Sequence, residues 1–496
     1  MNTETLFDLL LVLGGFGLVR CMVPGLARTP ALLAIISLPA GLVLYALGCL
    51  AFLGLRLPFS VGLLLAPSVL AALGLTALSW LRNPPGTREL ASMAGLLGVV
   101  IVVSLNQTVT SVLDTGLMLQ MGIDLAHGNH VPWPQQAGLT LGYPLLFPFL
   151  HAGAYLLGDV PVHATQLLIF VDLCALLLWV MFTKVQARLG GWVWPSFLAL
   201  LLLALFMSTT TAYFHAYYIG SHVSAALFLL SFAVMTHRYL IERDRRMLLL
   251  AALLLCGMSL ARLEGPVYAL LVLAALWQGQ DIPARSWRLG IQLLCAVVVV
   301  NYAVIAPFAQ FGSISALSST NRVVMIAFLS AVALALVVPP CRFVWLDKLI
   351  GLGRSRLLYL ILLVPLGLIF AAQPKRSLET AMILWSNLGD MRQWGVIGIA
   401  WLILLLWGLI ETAWRILRQG LADIDRLFLA SAIILLAMLA TAAAVGTPFS
   451  EGRITSSMSR VPMHFLPLFL MWAADRLALF LSGGTPTIPH SVEKIG

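Results

Sequence analysis

The chain has 496 residues, of which 61% are hydrophobic and 10% charged, with a formal net charge of +9 and a mean hydropathy of +0.99. A water-soluble protein of this length cannot cover itself with so little polar surface. The apolar runs are continuous rather than alternating, which excludes a transmembrane β-barrel, and the basic balance reads as the positive-inside bias of membrane loops, with no nucleic-acid partner expected.

The runs predict an all-α polytopic membrane protein of about 14 or 15 spans. In chain order they lie near 5–20, 30–53, 59–81, 90–108, 161–183, 193–212, 221–240, 247–260, 266–277, 290–308, 323–339, 357–372, 395–414, 427–446 and 461–481. The first carries Glu4 and Asp8 where a cleavable leader would be basic, so it is expected to stay in place. The short pair 247–260 and 266–277 reads as two half-helices broken at Arg262-Leu263-Glu264-Gly265-Pro266, because Gly and Pro break helices and such breaks need protein or a wet cavity around them. Placing the N-terminus outside puts the basic clusters inside, from Arg20/Arg28 and Arg82/Arg88 through Arg238–Arg246 to Arg415–Arg426. Residues 1–89 then form a three-helix membrane annex, 90–482 the core with a large outer loop at 109–160, and 483–496 an inner tail. The six cysteines, Cys21, Cys49, Cys174, Cys256, Cys295 and Cys341, lie in or at the ends of apolar runs and suggest neither a disulfide framework nor a metal cluster.

Asp114 opens a stretch in which Leu113, Leu117, Met121 and Leu125 recur at helical spacing, expected to be an amphipathic helix at the outer interface. Aspartate caps helix N-termini well. A carboxylate at a membrane surface also serves as a general base, taking the proton of a hydroxyl as it attacks. Asp124 is the second acid of the stretch and shares its polar side with His127. A polar loop then leads to Tyr143-Pro144-Leu145-Leu146-Phe147, which starts a second apolar stretch ending at Leu157-Gly158.

Arg262 and Glu264 stand at the helix break, where charges either pair with one another or line a cavity. Arg453 and Arg460 in the last outer loop run against the positive-inside bias. Arginine grips phosphate with two parallel hydrogen bonds, so both are candidates for holding a lipid phosphate, with plain headgroup anchoring as the competing role. Lys375 and Arg376 form a similar pair. Asp172 lies mid-span and reads as a packing acid, and His215, Tyr217, Tyr218 and His222 read as an aromatic interface belt.

Taken in order, these features resemble the GT-C superfamily of membrane glycosyltransferases, which includes protein O-mannosyltransferases and aminoarabinose transferases. The carriers are Asp114 soon after a span, a helix ending in His127-Gly128, the Tyr143-Pro144-Leu145-Leu146 start of a second interface helix, Arg262-Leu263-Glu264-Gly265, and the Arg453–Pro462 segment before the final span. The resemblance covers roughly 90–480 and implies a GT-C-like helical bundle with interface helices in its first large outer loop. It implies that Asp114 is the catalytic base and that the donor is a polyprenyl-phosphate sugar. The acceptor would be a glycan, lipid or protein hydroxyl, reached with inversion on the periplasmic face of a bacterial inner membrane. No cofactor is certain; some members use a divalent ion, for which Asp114 with Asp124 or His127 would be ligands. The rival readings are a lipid or glycan flippase, a polysaccharide polymerase or O-antigen ligase, and a non-catalytic scaffold.

Overall fold

The structure is a computed structural model that describes residues 3–55, 57–105, 113–127, 145–158, 163–218, 220–262, 374–390, 461–464 and 466–483, with isolated positions between 268 and 432. Among the described residues there are helices and no strand. The helices are α1 (Thr3–Met22), α2 (Pro30–Gly54), α3 (Val61–Arg82), α4 (Thr87–Val103), α5 (Leu113–Ala126), α6 (Leu146–Gly158), α7 (His163–Leu189), α8 (Val193–Met207), α9 (Thr210–Tyr217), α10 (Ser221–Glu242), α11 (Arg245–Ala261), α12 (Pro374–Gly389) and α13 (Leu466–Leu481), with 3-10 turns at Pro24–Arg28 and Val461–His464. Helices α1, α2, α7 and α10 are each long and apolar enough to cross a membrane. Leu70, Leu73, Val102, Phe197 and Leu200 are exposed on α3, α4 and α8, which suits a chain whose outer solvent is lipid.

Two expectations about the elements change. The run 193–212 is not one straight span: α8 and α9 meet at 77°. Ser208 and Thr209 turn their hydroxyls back onto the carbonyls of Leu205 and Phe206 at 2.7 and 2.9 Å. Thr209 then caps α9 by accepting from the Ala212 N–H at 3.0 Å. The connection between the expected spans 357–372 and 395–414 contains α12, an amphipathic helix. Its Leu378, Met382 and Trp385 are exposed while Ser377, Thr380 and Leu384 are buried. The break expected after 260 is seen: α11 ends at Ala261, and Arg262 has extended backbone at φ −150°.

One continuous core joins α1 and α2 to α6, α7, α10 and α11. The crossing of α1 and α2 is close because two glycines face each other. A Cβ on Gly15 would run into the Ser37 carbonyl, and one on Gly41 into the Leu11 carbonyl. Small residues at helix contacts let backbones approach in this way. On the other flank of α1, Thr76 of α3 donates to the Leu13 carbonyl at 3.2 Å. Gly41→Leu is expected to destabilise the fold by about 3 kcal/mol, the top of the range for overpacking, because the obstacle is backbone. A titration with a denaturing detergent that finds wild-type stability for this variant would refute the close crossing.

The side-chain contacts sort the helix ends into two sets. At one end, Arg20 of α1 pairs with Glu89 of α4, Arg238 of α10 donates to Thr29 at 2.9 Å, and Arg188 of α7 binds Asp475 of α13. Nearly every lysine and arginine of α1, α3, α4, α7, α10 and α11 lies at this basic end. At the other end are the N-termini of α1, α7 and α10, together with the C-termini of α6 and α11 and the turn before α13.

Candidate functional site

Helices α5 and α6 run parallel, not as a hairpin. Gly122 lies against His151, where a Cβ would come within 2.7 Å of that ring, and five residues on His127 packs edge-on to Tyr155 at 5.6 Å. At this register the first turn of α5, which contains Asp114, falls just ahead of the start of α6, at the opposite end of the pair from His127 and Gly158. The buried stripe of α5 is Met118, Met121, Gly122 and Ala126, so the face that packs is turned slightly from the Leu113/Leu117/Met121/Leu125 row. Asp124 lies on the outer face, where Gln120 donates to it at 3.1 Å.

Helix α6 is not a surface helix. Leu146 through Ala154 are all buried, wedged across the ends of α1, α2 and α3. Tyr45 of α2 donates to the Phe149 carbonyl at 3.2 Å, Phe59 stacks on Phe149, and Gly158 packs against Thr3 at the start of α1. The α5–α6 pair is therefore seated on the first three helices.

Beside this pair a polar band crosses the same end of the bundle. Glu4 of α1 accepts from the backbone N–H of Ala164 at 2.8 Å and Thr165 at 3.3 Å, which caps α7 from a different helix. One turn along α1, Asp8 accepts from the Thr165 hydroxyl at 2.7 Å. The next residue, Gln166, donates to the His215 carbonyl at 2.8 Å. His215 packs at 5.5 Å from His222, and His222 stacks on His464 with Nδ1 3.0 Å from Nε2. Arg262 closes the band, donating to the Ser221 hydroxyl at 3.4 Å and acting electrostatically on His464. Tyr268 also faces the His464 ring, at 6.1 Å.

The belt reading of His215, Tyr217, Tyr218 and His222 fails for three of the four. His215, Tyr218 and His222 are buried and Tyr217 is half-buried, while the neighbouring Tyr213 is 63% exposed. Burial of three imidazoles is costly unless their nitrogens are paired. His222 Nδ1 and His464 Nε2 satisfy one another, whereas His464 Nδ1 has no hydrogen-bond partner among the described residues. Asp172 is buried in α7, as a packing acid would be.

The other expected site residues are scattered. Lys375 and Arg376 fall in the first turn of α12 and are exposed. Tyr143, Glu264, Arg453 and Arg460 lie outside the described residues, and of Asp114 only the backbone position is described. Among the described residues no group of three or more His, Cys, Asp or Glu is arranged to hold a metal ion, and Cys21, Cys49, Cys174 and Cys256 are free thiols.

No protein-family model, curated protein or solved structure matches this chain.

Proposed function

We propose that the chain is a membrane glycosyltransferase that moves a sugar from a polyprenyl-phosphate donor to an acceptor hydroxyl. The observation that carries the reading is the parallel α5–α6 pair, inserted between two spans and seated on α1–α3. Its C-terminal end, at Gly158, meets Thr3 of α1 next to Glu4, which seats the pair beside the acid- and histidine-rich end of the bundle. In the reaction the Asp114 carboxylate takes the hydroxyl proton. The hydroxyl oxygen attacks the anomeric carbon from the side opposite the phosphate. The anomeric C–O bond breaks, its electron pair leaves with polyprenyl phosphate, and configuration inverts. Arg453 or Arg460, with Lys375 and Arg376, are the cations assigned to the leaving phosphate. Arg262 and the His222–His464 pair add donors on the same face. With the basic end facing the cytoplasm, the N-terminus and the reacting end face the periplasm of a bacterial inner membrane.

A flippase is favoured by one observation. The 77° corner between α8 and α9 is a second interrupted helix, besides the one at Arg262, and transporters build their sites from interrupted helices. The test is a paired measurement on the full chain in liposomes loaded with polyprenyl-phosphate sugars. Release of free polyprenyl phosphate is expected. Movement of intact donor across the bilayer without release would discard the enzyme reading and establish the flippase.

A further inference from the structure

The basic end holds a cavity of about 690 Å³ that glycosyl transfer at the opposite end does not use. Its lining comes from five places: the end of α1, the Pro24–Arg28 turn, the end of α3, the start of α4 and the start of α11. Five arginines line it (Arg20, Arg28, Arg82, Arg88 and Arg246) against one acid, Glu89.

Arg20 and Glu89 form the floor. Both are buried and paired, and Arg20 also donates to the Asn83 carbonyl at 2.6 Å and to the Ser79 hydroxyl at 3.3 Å. The floor is thus neutral and held in place. Arg28, Arg82, Arg88 and Arg246 are exposed and have no acidic partner among the described residues. The positive-inside bias explains why these four lie at this end. It does not explain their convergence on one cavity from four separate elements, since like charges brought together repel. A second feature points the same way. The start of α4 opens on the cavity, and its N-cap, Gly86, has no side chain to satisfy the first helical N–H groups. Such a terminus favours an anion.

We propose that this cavity binds a phosphate-bearing anion, with Arg28, Arg82, Arg88 and Arg246 as its grip and the Arg20–Glu89 pair as its fixed floor. Guanidinium forks match phosphate oxygens, and the volume is that of a small-molecule site. Two sources share the chemistry: the headgroup of an anionic lipid in the adjoining leaflet, and a soluble phosphate. The proposal stands independently of glycosyl transfer.

The test uses the purified full chain in two arms. One measures retention of phosphatidylglycerol over phosphatidylcholine in mixed micelles. The other measures binding of inorganic pyrophosphate. The variants are Arg82→Gln with Arg88→Gln and, as control, Arg243→Gln with Arg245→Gln, which removes the same charge at the same end outside the cavity. Wild type is expected to bind in one arm, which names the source. The cavity variant should bind at least about tenfold more weakly, with the control near wild type. No binding in either arm, or equal losses in the two variants, would overturn the proposal.

Discussion

Asp114→Asn is expected to slow release of polyprenyl phosphate by about 10²- to 10⁴-fold, the usual contribution of a positioned general base, and to leave the chain folded. The substitution separates the two roles an aspartate can have in the first turn of a helix. Asparagine serves a helix N-terminus about as well as aspartate, so α5 and its packing on α6 survive. What asparagine lacks is a proton-accepting carboxylate. The loss should fall on kcat with KM for the donor little changed, because the proton moves only as the transition state forms. Asp124→Asn is the matched control. Asp124 lies on the outer face of the same helix, bonded to Gln120, and its loss should leave the rate within a few-fold of wild type. An Asp114→Asn enzyme that releases lipid phosphate at the wild-type rate would end the general-base assignment.

The long spans were legible in the sequence because their signal is local. Helices α1, α2, α7 and α10 are apolar over a bilayer's length, and nothing in tertiary structure has to intervene for that to show. The corner at Ser208–Thr209 has a local signal too. A run of Ser-Thr-Thr-Thr inside an apolar stretch is a capping signal, and its hydroxyls end α8 and begin α9. The paired acids Glu4 and Asp8, one helical turn apart, likewise marked a polar face on an otherwise apolar helix. The histidine band was not legible in the same way. His222 and His464 are separated by 242 positions, and no periodicity connects a residue in one span to one in a turn before another. The α5–α6 register is of the same kind. That Gly122 would meet His151 depends on a parallel arrangement that a short sequence window cannot distinguish from a hairpin. Local patterns specified where the chain crosses the membrane; long-range contacts decided which polar groups meet at its ends.

The same long-range logic makes the tie between α7 and α13 a sensitive point. Arg188 reaches Asp475 with two parallel bonds, at 2.7 and 2.9 Å, and joins two helices far apart in the chain. The partners are unequally covered: Arg188 is 25% exposed and Asp475 only 5%. Removing either one leaves the other behind, and the cost depends on which survives. Arg188→Ala strands a buried carboxylate and is expected to destabilise the fold by about 3–5 kcal/mol. Asp475→Ala leaves an arginine that can turn its head toward water or headgroups, so its cost should be smaller, about 1–3 kcal/mol. Replacing both with leucine should recover most of the loss, because no charge is then left without a partner. Unfolding of the three variants in one detergent would check the order. Equal costs for the two alanine variants would mean that burial of Asp475 does not control the pair. Since α13 follows directly on the turn that carries His464, Arg188→Ala should also loosen the His222–His464 contact and lower the release rate, although Arg188 lies at the opposite end of the bundle from the reacting groups.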